Sequence, residues 1–192
     1  MKQNRTYYAN CNAGFIACVR NLWNGSRKGV RGMVFLAVVV GLMLPVTVLA
    51  RDWSWAKRAR GGGYDYGKGI ATDENGNCYV TGYFNSSTIT FGSVMLTNTD
   101  NSGSSDMYLV KYDSSGNVLW ANCAGGYSAD YGNSIATDGN GNCYVTGYFW
   151  SPTITFGSVT LINANSFSDM FVVKYDSNGN VVWAKRAGGK QL

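Results

Sequence analysis

The sequence predicts an all-β protein assembled from two copies of one four-stranded antiparallel unit. Residues Tyr66–Leu96 and Tyr131–Leu161 align without a gap at an offset of 65, and 25 of the 31 aligned positions are identical. The segments within each copy are rich in β-branched and aromatic residues, and residues that favour turns separate them. After residue 50, apolar residues do not recur at the spacing of a helix face. We therefore expect strands and no helix from residue 51 onward.

The first 50 residues have the pattern of a secretory signal peptide with a helical apolar core. Residues 1–50 carry six basic groups and no acidic group, and three of the six directly precede the apolar segment 32–50. Pro45 and the small residue Ala50 favour cleavage after Ala50. The alternative is an uncleaved membrane anchor, because the apolar stretch reaches about 18 residues, the lower limit for a span. Both interpretations place the repeats outside the cytoplasm.

A single Trp strand follows this leader. The segment WAKRARGGG, which begins at Trp55, closely repeats WAKRAGGK, which begins at Trp183 near the end of the second copy. Trp120 recurs with both, so all three are predicted to be core residues. The predicted divisions are the leader at 1–50, the lone Trp strand of a preceding unit at 51–63, the first unit at 64–126 and the second at 127–192.

Each unit contains four predicted strands dominated by Val, Ile, Tyr, Phe, Thr and Trp. In the first unit they are Gly69–Asp73, Cys78–Phe84, Met107–Tyr112 and Val118–Cys123, and in the second Ser134–Asp138, Cys143–Phe149, Met170–Tyr175 and Val181–Arg186. Between the second and third strands, both units contain the string TITFGSVxL. This string predicts a small extra hairpin.

The turns between paired strands share the form D-x-x-G-N. It occurs at 73–77, 113–117, 138–142 and 176–180. The Asp side chain can accept hydrogen bonds from the turn backbone, and Gly and Asn tolerate positive φ, as a short hairpin loop requires. The alternating Asp and Asn oxygens also resemble a calcium loop. However, the glycine comes too early and the acidic twelfth residue is missing, so we predict turns and no metal site.

Strings such as CYVTGYF and MYLVKY carry apolar or aromatic residues on both strand faces, which predicts a sheet covered on both sides. Four antiparallel strands followed by a Gly-rich crossover are typical of a β-propeller blade. The strings DYGxxIATDxxGNCYVTGYF and FVVKYDSNGNVVWAKRAGG resemble the SBBP-type β-propeller repeat of bacterial exported and surface proteins. The resemblance covers nearly all of 55–189. It implies propeller architecture and export, and it implies no catalytic residue.

The predicted fold is therefore all-β: two four-stranded antiparallel blades of an incomplete β-propeller, preceded by a signal-peptide helix. Propellers close with about four to eight blades. Two blades alone would leave their outer faces as bare apolar surface. We expect either a homo-oligomer that completes the propeller or a shortened gene product whose missing blades lie elsewhere.

Composition excludes several kinds of function. The chain has no His, which removes the usual general base and His-ligated metals. From residue 51 onward, ten basic and eleven acidic groups nearly cancel, so we expect no nucleic-acid partner. Most of the acidic residues recur as repeat pairs, which favours loop braces over acid catalysts. We predict no enzyme activity, no catalytic residue and no cofactor; the alternative is a fragment of a propeller-containing polysaccharide hydrolase or lyase.

Aromatic residues in loops remain as candidates for recognition, because rings on loop tips bind sugars or proteins at low entropy cost. Trp150 replaces Asn85 of the first copy, Phe167 falls in a variable loop, and Tyr64 and Tyr127 lie in the crossover loops. The alternative is that Trp150 and Phe167 only cover a blade edge.

These observations predict a secreted or cell-surface bacterial protein that acts as a structural or binding module. Its partner would be a protein or glycan that the sequence does not identify. A membrane partner is expected only through residues 32–50, if the leader remains uncleaved.

Overall fold

The computed structural model describes residues 54–100, 103–164 and 167–189, together with the backbone of residues 15–17. All regular structure in these ranges is β-strand, and every strand pairing is antiparallel. The all-β prediction is confirmed. Within the same ranges, no helix is long and apolar enough to cross a membrane. The signal-peptide helix predicted at 32–50 lies outside the described residues.

The described strands follow the repeat. In chain order they are Phe15–Ala17 (β1), Ala56–Arg58 (β2), Arg60–Gly61 (β3), Asp65–Thr72 (β4), Cys78–Phe84 (β5), Thr88–Phe91 (β6), Val94–Thr97 (β7), Asp106–Tyr112 (β8), Val118–Ala124 (β9), Asp130–Thr137 (β10), Cys143–Phe149 (β11), Thr153–Phe156 (β12), Val159–Ile162 (β13), Asp169–Tyr175 (β14) and Val181–Ala187 (β15).

Two four-stranded sheets form the body of the described chain. Sheet I has the strand order β4-β5-β8-β9, and sheet II repeats it as β10-β11-β14-β15. The pairing register is the same in both copies: Cys78 pairs with Tyr112 in sheet I, and Cys143 pairs with Tyr175 in sheet II. The two copies of the sequence therefore specify the same sheet twice.

The string TITFGSVxL forms the predicted small hairpin in both copies. β6 pairs with β7, and β12 pairs with β13. The ring of Phe91 packs on Tyr108 of sheet I, and the ring of Phe156 packs on Phe171 of sheet II, each with centroids 4.9 Å apart. Each hairpin therefore covers one face of its own sheet.

All four D-x-x-G-N segments form the predicted turns. In the first turn, Asp73 Oδ1 accepts hydrogen bonds from the backbone N–H groups of Asn75 and Asn77, at 3.0 and 2.9 Å. The Asn77 side-chain amide donates to Asp73 Oδ2 at 2.8 Å. Gly76 has φ of 77°, a left-handed conformation in which a Cβ atom is disfavoured. These residue types are thus required by the turn itself.

The first strand of each unit is longer than the sequence predicted. β4 spans Asp65–Thr72 and β10 spans Asp130–Thr137, whereas the predicted strands began at Gly69 and Ser134. A β-bulge between Gly67 and Gly69 shifts the register and lets β4 continue along β5. Strand propensity misses this Gly-rich part, because pairing with a long partner strand holds it in the sheet.

Sheets I and II pack face to face. β10 lies against β4 and β5. The core between the sheets contains Met107 and Leu109 of sheet I together with Val145 and Phe171 of sheet II. A second core lies on the opposite face of sheet I, where Tyr108 packs with the hairpin β6–β7. Strands β5 and β8 of sheet I are therefore covered on both faces, as their patterning predicts, whereas β4 is partly exposed.

The Trp strand predicted at 51–63 contains β2, which pairs with β1, and β3, which joins the hairpin β6–β7. The ring of Trp55 packs on Tyr112 of sheet I, with centroids 5.6 Å apart. The ring of Trp120 in sheet I packs on Tyr175 of sheet II, with centroids 6.5 Å apart. Trp55 therefore occupies on sheet I the place that Trp120 occupies on sheet II.

No disulfide joins the three cysteines that the structure describes, Cys78, Cys123 and Cys143. Burial raises the pKa of the Cys123 thiol to about 11 and that of the Cys143 thiol to about 12. Both thiols are thus protonated at neutral pH and behave as small apolar side chains.

Candidate functional site

An aspartate begins the first and third strands of each sheet. These four residues, Asp65, Asp106, Asp130 and Asp169, lie at the same end of the two sheets, opposite the D-x-x-G-N turns. We call this end the carboxylate end. At most 1% of Asp106, Asp130 and Asp169 is exposed. Buried carboxyl groups require hydrogen-bond partners. Here most of the partners come from the loops, whereas Asp106 Oδ1 and Asp169 Oδ1 are buried without one among the described residues.

A serine ties each crossover loop to the first aspartate of its sheet. Ser151 Oγ donates to Asp130 Oδ2 at 2.7 Å, and the Ser128 backbone N–H donates to Ser151 Oγ at 3.0 Å. In sheet I, Ser86 Oγ donates to Asp65 Oδ1 at 2.6 Å. Burial raises the pKa of Asp130 to about 7, although the hydrogen bonds from Ser151 oppose this shift. Burial also raises the pKa of Asp65.

The third-strand aspartates anchor the variable loops. Asp106 Oδ2 accepts hydrogen bonds from the backbone N–H and the hydroxyl of Thr99, both at 2.7 Å. Asp169 Oδ2 accepts from the Ala164 N–H at 2.8 Å and from Arg186 Nη1 at 3.0 Å. Burial raises the pKa of Asp106. Arg186 and Asp169 form an ion pair, and the first copy has a cysteine at the position of this arginine.

The structure places all four predicted binding residues at the carboxylate end. Tyr64 and Tyr127 lie in the crossover loops and are 71% and 81% exposed. Trp150 directly follows β11 and is 45% exposed, while Phe167 precedes β14 and is 53% exposed. Among the described residues, no ring contact joins Tyr64, Tyr127 and Trp150 to one another. They share one end of the molecule without forming a stacked cluster.

The loops that carry these rings have hydrogen-bonded backbones. The Trp150 N–H donates to the Ala129 carbonyl at 3.0 Å. The Asn163 side-chain amide donates to the Phe167 carbonyl at 2.9 Å. Rings presented on loops that are already ordered lose less conformational entropy on binding. The arrangement is therefore suited to recognition of a surface laid across this end.

The same geometry is poorly suited to acid–base catalysis. Burial raises the pKa of Asp130 to about 7, and a general acid requires a pKa in this range. However, no part of Asp130 is exposed to solvent, and its oxygens bond to Ser151. A substrate would have to displace the loop to reach it. In the part of the chain that the structure describes, no cluster of three or more metal-binding side chains occurs.

Trp183 lies in a different environment from the other repeated tryptophans. Trp183 was expected to be a core residue because it recurs with Trp120. All three repeated tryptophans are only partly buried, but Trp183 lies on the outer face of sheet II and packs on Tyr144, with centroids 6.2 Å apart. Trp120 instead packs against the core between the sheets. Repetition identifies equivalent positions, but it does not report whether a neighbouring sheet covers them.

Two segments of the chain, residues 55–87 and 120–151, match the SBBP family model, which describes a beta-propeller repeat. Each segment begins at a repeated tryptophan and ends just after the YVTGYF strand of the next sheet. The chain thus contains repeats of the SBBP family, and the resemblance read from its sequence is confirmed.

Similar curated proteins include two that are much longer. The chain is 35% identical over 127 residues to the uncharacterized WD repeat-containing protein L264 of Acanthamoeba polyphaga mimivirus, which covers 60% of this chain and 9% of that protein. It is 35% identical over 91 residues to the regulatory protein FlaEY of Caulobacter vibrioides, which covers 46% of this chain and 10% of that protein. The chain spans about a tenth of the length of each. Together with the two family matches, these relatives support the repeat architecture of the chain.

Proposed function

We propose that this protein is an exported, non-catalytic interaction module whose two sheets are adjacent blades of an incomplete β-propeller. The observation that carries the proposal is the set of four exposed rings at the carboxylate end, on loops held by buried carboxyl groups. The family match supports the propeller geometry. Loops at one end of a propeller lie side by side, so their rings together form one binding surface.

The proposed partner is a protein or a glycan at a cell surface. Aromatic rings bind both classes, because they bury a large flat area with few rotatable bonds. The absence of His from the sequence and the buried positions of Asp106 and Asp130 favour binding over catalysis.

Binding to cells provides a direct test. We expect fluorescently labelled protein to bind intact bacterial cells and expect Trp150→Ala combined with Tyr127→Ala to weaken that binding by about tenfold or more, as measured by flow cytometry. Treatment of the cells with protease removes protein receptors, whereas periodate oxidation removes glycan receptors, so the two treatments distinguish the partner classes.

The matched control for this experiment is Leu119→Ala. Leu119 is 50% exposed but lies on β9, away from the rings of the carboxylate end. Equal binding by the double variant, the Leu119→Ala variant and the parent protein would show that Trp150 and Tyr127 are not part of the binding surface.

Export is tested separately, because it depends on the leader rather than on the sheets. After expression in a bacterial host, we expect the mature protein to begin at Arg51 by N-terminal sequencing. An intact leader in the membrane fraction would support the tethered alternative. An intact chain found only in the cytoplasm would contradict both.

A further inference from the structure

The outer face of sheet II carries the same side chains as the face of sheet I that packs on sheet II. We define this outer face by seven residues: Tyr144, Thr146, Tyr148, Met170, Val172, Lys174 and Trp183. Their counterparts on sheet I are Tyr79, Thr81, Tyr83, Met107, Leu109, Lys111 and Trp120, so six of the seven are identical. The surface that binds one sheet in this molecule is therefore present a second time.

The two copies of this surface differ in exposure. Met107 and Leu109 are fully buried on sheet I, because sheet II covers them. Met170 is 46% exposed and Tyr148 is 36% exposed on the outer face. A shallow hollow on this face is lined by Tyr144, Val172 and their neighbours. Apolar groups that are core in one copy are thus in contact with solvent in the other.

Polar contacts specify how a sheet sits on this surface. Tyr79 Oη donates to the Gly141 carbonyl at 2.8 Å. Lys111 Nζ and Trp120 Nε1 donate to the Ser177 carbonyl, at 3.0 and 3.1 Å. Both carbonyls belong to D-x-x-G-N turns of sheet II. Tyr144, Lys174 and Trp183 present the same donors on the outer face, and no turn carbonyl from another sheet faces them among the described residues.

Sheet I contains the matching acceptors. The counterparts of Gly141 and Ser177 are Gly76 and Ser114, in the two D-x-x-G-N turns of sheet I. The charges also match, because Lys174 would reach the turn of Asp113 as Lys111 reaches the turn of Asp176. The three donors on one surface therefore have backbone acceptors on the other, and the basic donor, Lys174, would lie near an acidic turn residue.

A pair of equivalent glycines provides a second, independent observation. A Cβ atom at Gly132 of β10 would overlap Thr81 Oγ1 and lie 3.2 Å from Met107 Cε, so close packing of sheet II on sheet I requires glycine there. Its counterpart is Gly67 of β4. A Cβ atom at Gly67 would meet only Tyr108 Oη at 3.6 Å and Val80 Cγ1 at 3.9 Å. Gly67 thus has the shape for a contact that the described residues of one chain do not make.

We propose that the outer face of sheet II binds sheet I of a second copy of this chain, in the geometry that sheet II uses on sheet I. Gly67 of the second copy would lie over Thr146 and Met170, as Gly132 lies over Thr81 and Met107. The two surfaces are different, so the contact is head-to-tail and extends to a ring or a filament.

Strand β2 competes with this contact. A Cβ atom at Gly116 would lie 2.7 Å from Trp55 Cδ2, and one at Gly179 would lie 2.8 Å from Trp120 Cδ2, so Trp55 already occupies the turn that Trp183 of another copy would contact. If Trp183 of another copy replaces Trp55 in this contact, the free energy of association should change little. The driving force is then burial of Met170 and the rest of the apolar outer face.

Association is tested with the full chain by sedimentation equilibrium over a concentration series. We expect masses that rise with concentration towards multiples of the chain mass. Gly67→Ala should leave the unfolding midpoint unchanged, because its Cβ has room within the chain, yet weaken association by about tenfold or more through overpacking in the contact.

Trp183→Ala should also weaken association, whereas Trp55→Ala should strengthen it by releasing β2. Gly139→Ala is the matched control, because a Cβ atom there would meet only Glu74 Oε1, at 3.9 Å.

Cross-linking tests the register of the contact. A mixture of ¹⁴N- and ¹⁵N-labelled protein is treated with a zero-length carbodiimide, and mixed-isotope peptides are identified by mass spectrometry. We expect a cross-link between Lys174 of one copy and Asp113 of another. A chain that stays monomeric at millimolar concentration would overturn the proposal. So would association that Gly67→Ala does not weaken, or mixed cross-links that join only other surfaces.

Discussion

At the scale of single residues, position decides how each repeated aspartate behaves. Recurrence alone favoured loop braces, and the structure divides the aspartates into two kinds. In the exposed turns, hydrogen bonds from Asn180 lower the pKa of Asp176, and equivalent bonds lower those of Asp113 and Asp138. At the carboxylate end, burial raises the pKa of Asp130 to about 7. The same side chain is therefore stabilised as an anion at one end and as a neutral acid at the other.

The buried carboxyl groups should make the protein more stable in mild acid than at neutral pH. The folded chain holds the Asp130 proton up to about pH 7, whereas the unfolded chain releases it near pH 4. The free energy of unfolding should therefore fall as pH rises from about 4 to about 7, by up to about 1.4 kcal/mol per pH unit for each such group. Asp130→Asn should flatten this dependence in denaturant titrations at several pH values.

The control for this experiment is Asp176→Asn. Its lowered pKa confines any pH effect to values below about 4, so the slope between pH 4 and pH 7 should remain that of the parent protein. A parent protein whose stability rises over this interval would contradict the assignment of a neutral buried Asp130.

At the scale of elements, the D-x-x-G-N turn joins two functions in five residues. Its aspartate and glycine close the hairpin, and its carbonyl groups accept hydrogen bonds from the preceding sheet, as the Gly141 carbonyl does from Tyr79. The sequence predicted the first function because it depends on residues within the turn. The second depends on a donor 62 residues away, which no local pattern reveals.

Substitution of the turn glycine should destabilise the fold through the backbone. Gly141 has φ of 76°, and an added Cβ would meet its nearest neighbour, Ser177 Cβ, at an ordinary 3.5 Å. Gly141→Ala should therefore lower the free energy of unfolding by about 1–2 kcal/mol because of the left-handed conformation alone. Gly139→Ala, two residues earlier and without positive φ, should change it little. Equal values for the two variants in denaturant titrations would show that the conformation of Gly141 is not the cause.

At the scale of the whole molecule, the presence of a neighbour distinguishes the two copies. Strand β11 repeats the sequence of β5, yet residues on one of its faces are more exposed, because no sheet follows sheet II in the described chain. The same contrast separates β8 from β14. Burial here is a property of the assembly of sheets rather than of the strand.

Two equivalent methionines, one in each sheet, provide a test of this difference in burial. Met107 is completely buried between the sheets, and Met170 is 46% exposed on the outer face. At concentrations low enough to keep the chain monomeric, Met107→Ala should lower the free energy of unfolding by about 2–5 kcal/mol, because it leaves a cavity. Met170→Ala should lower it by less than about 1 kcal/mol. Comparable losses for both variants would show that the outer face is covered even in a single chain.

Local patterns in the sequence determined the strands, the turns and the equivalence of the two sheets. Strands β5 and β11 have the predicted bounds, and all four turns have the predicted form, because side-chain periodicity and turn chemistry act between residues close in the chain. Only the tertiary structure showed that Trp183 lies on an outer face and that burial raises the pKa of Asp130. Exposure and pKa depend on which distant groups lie nearby, and two identical segments placed beside different neighbours therefore acquire different properties.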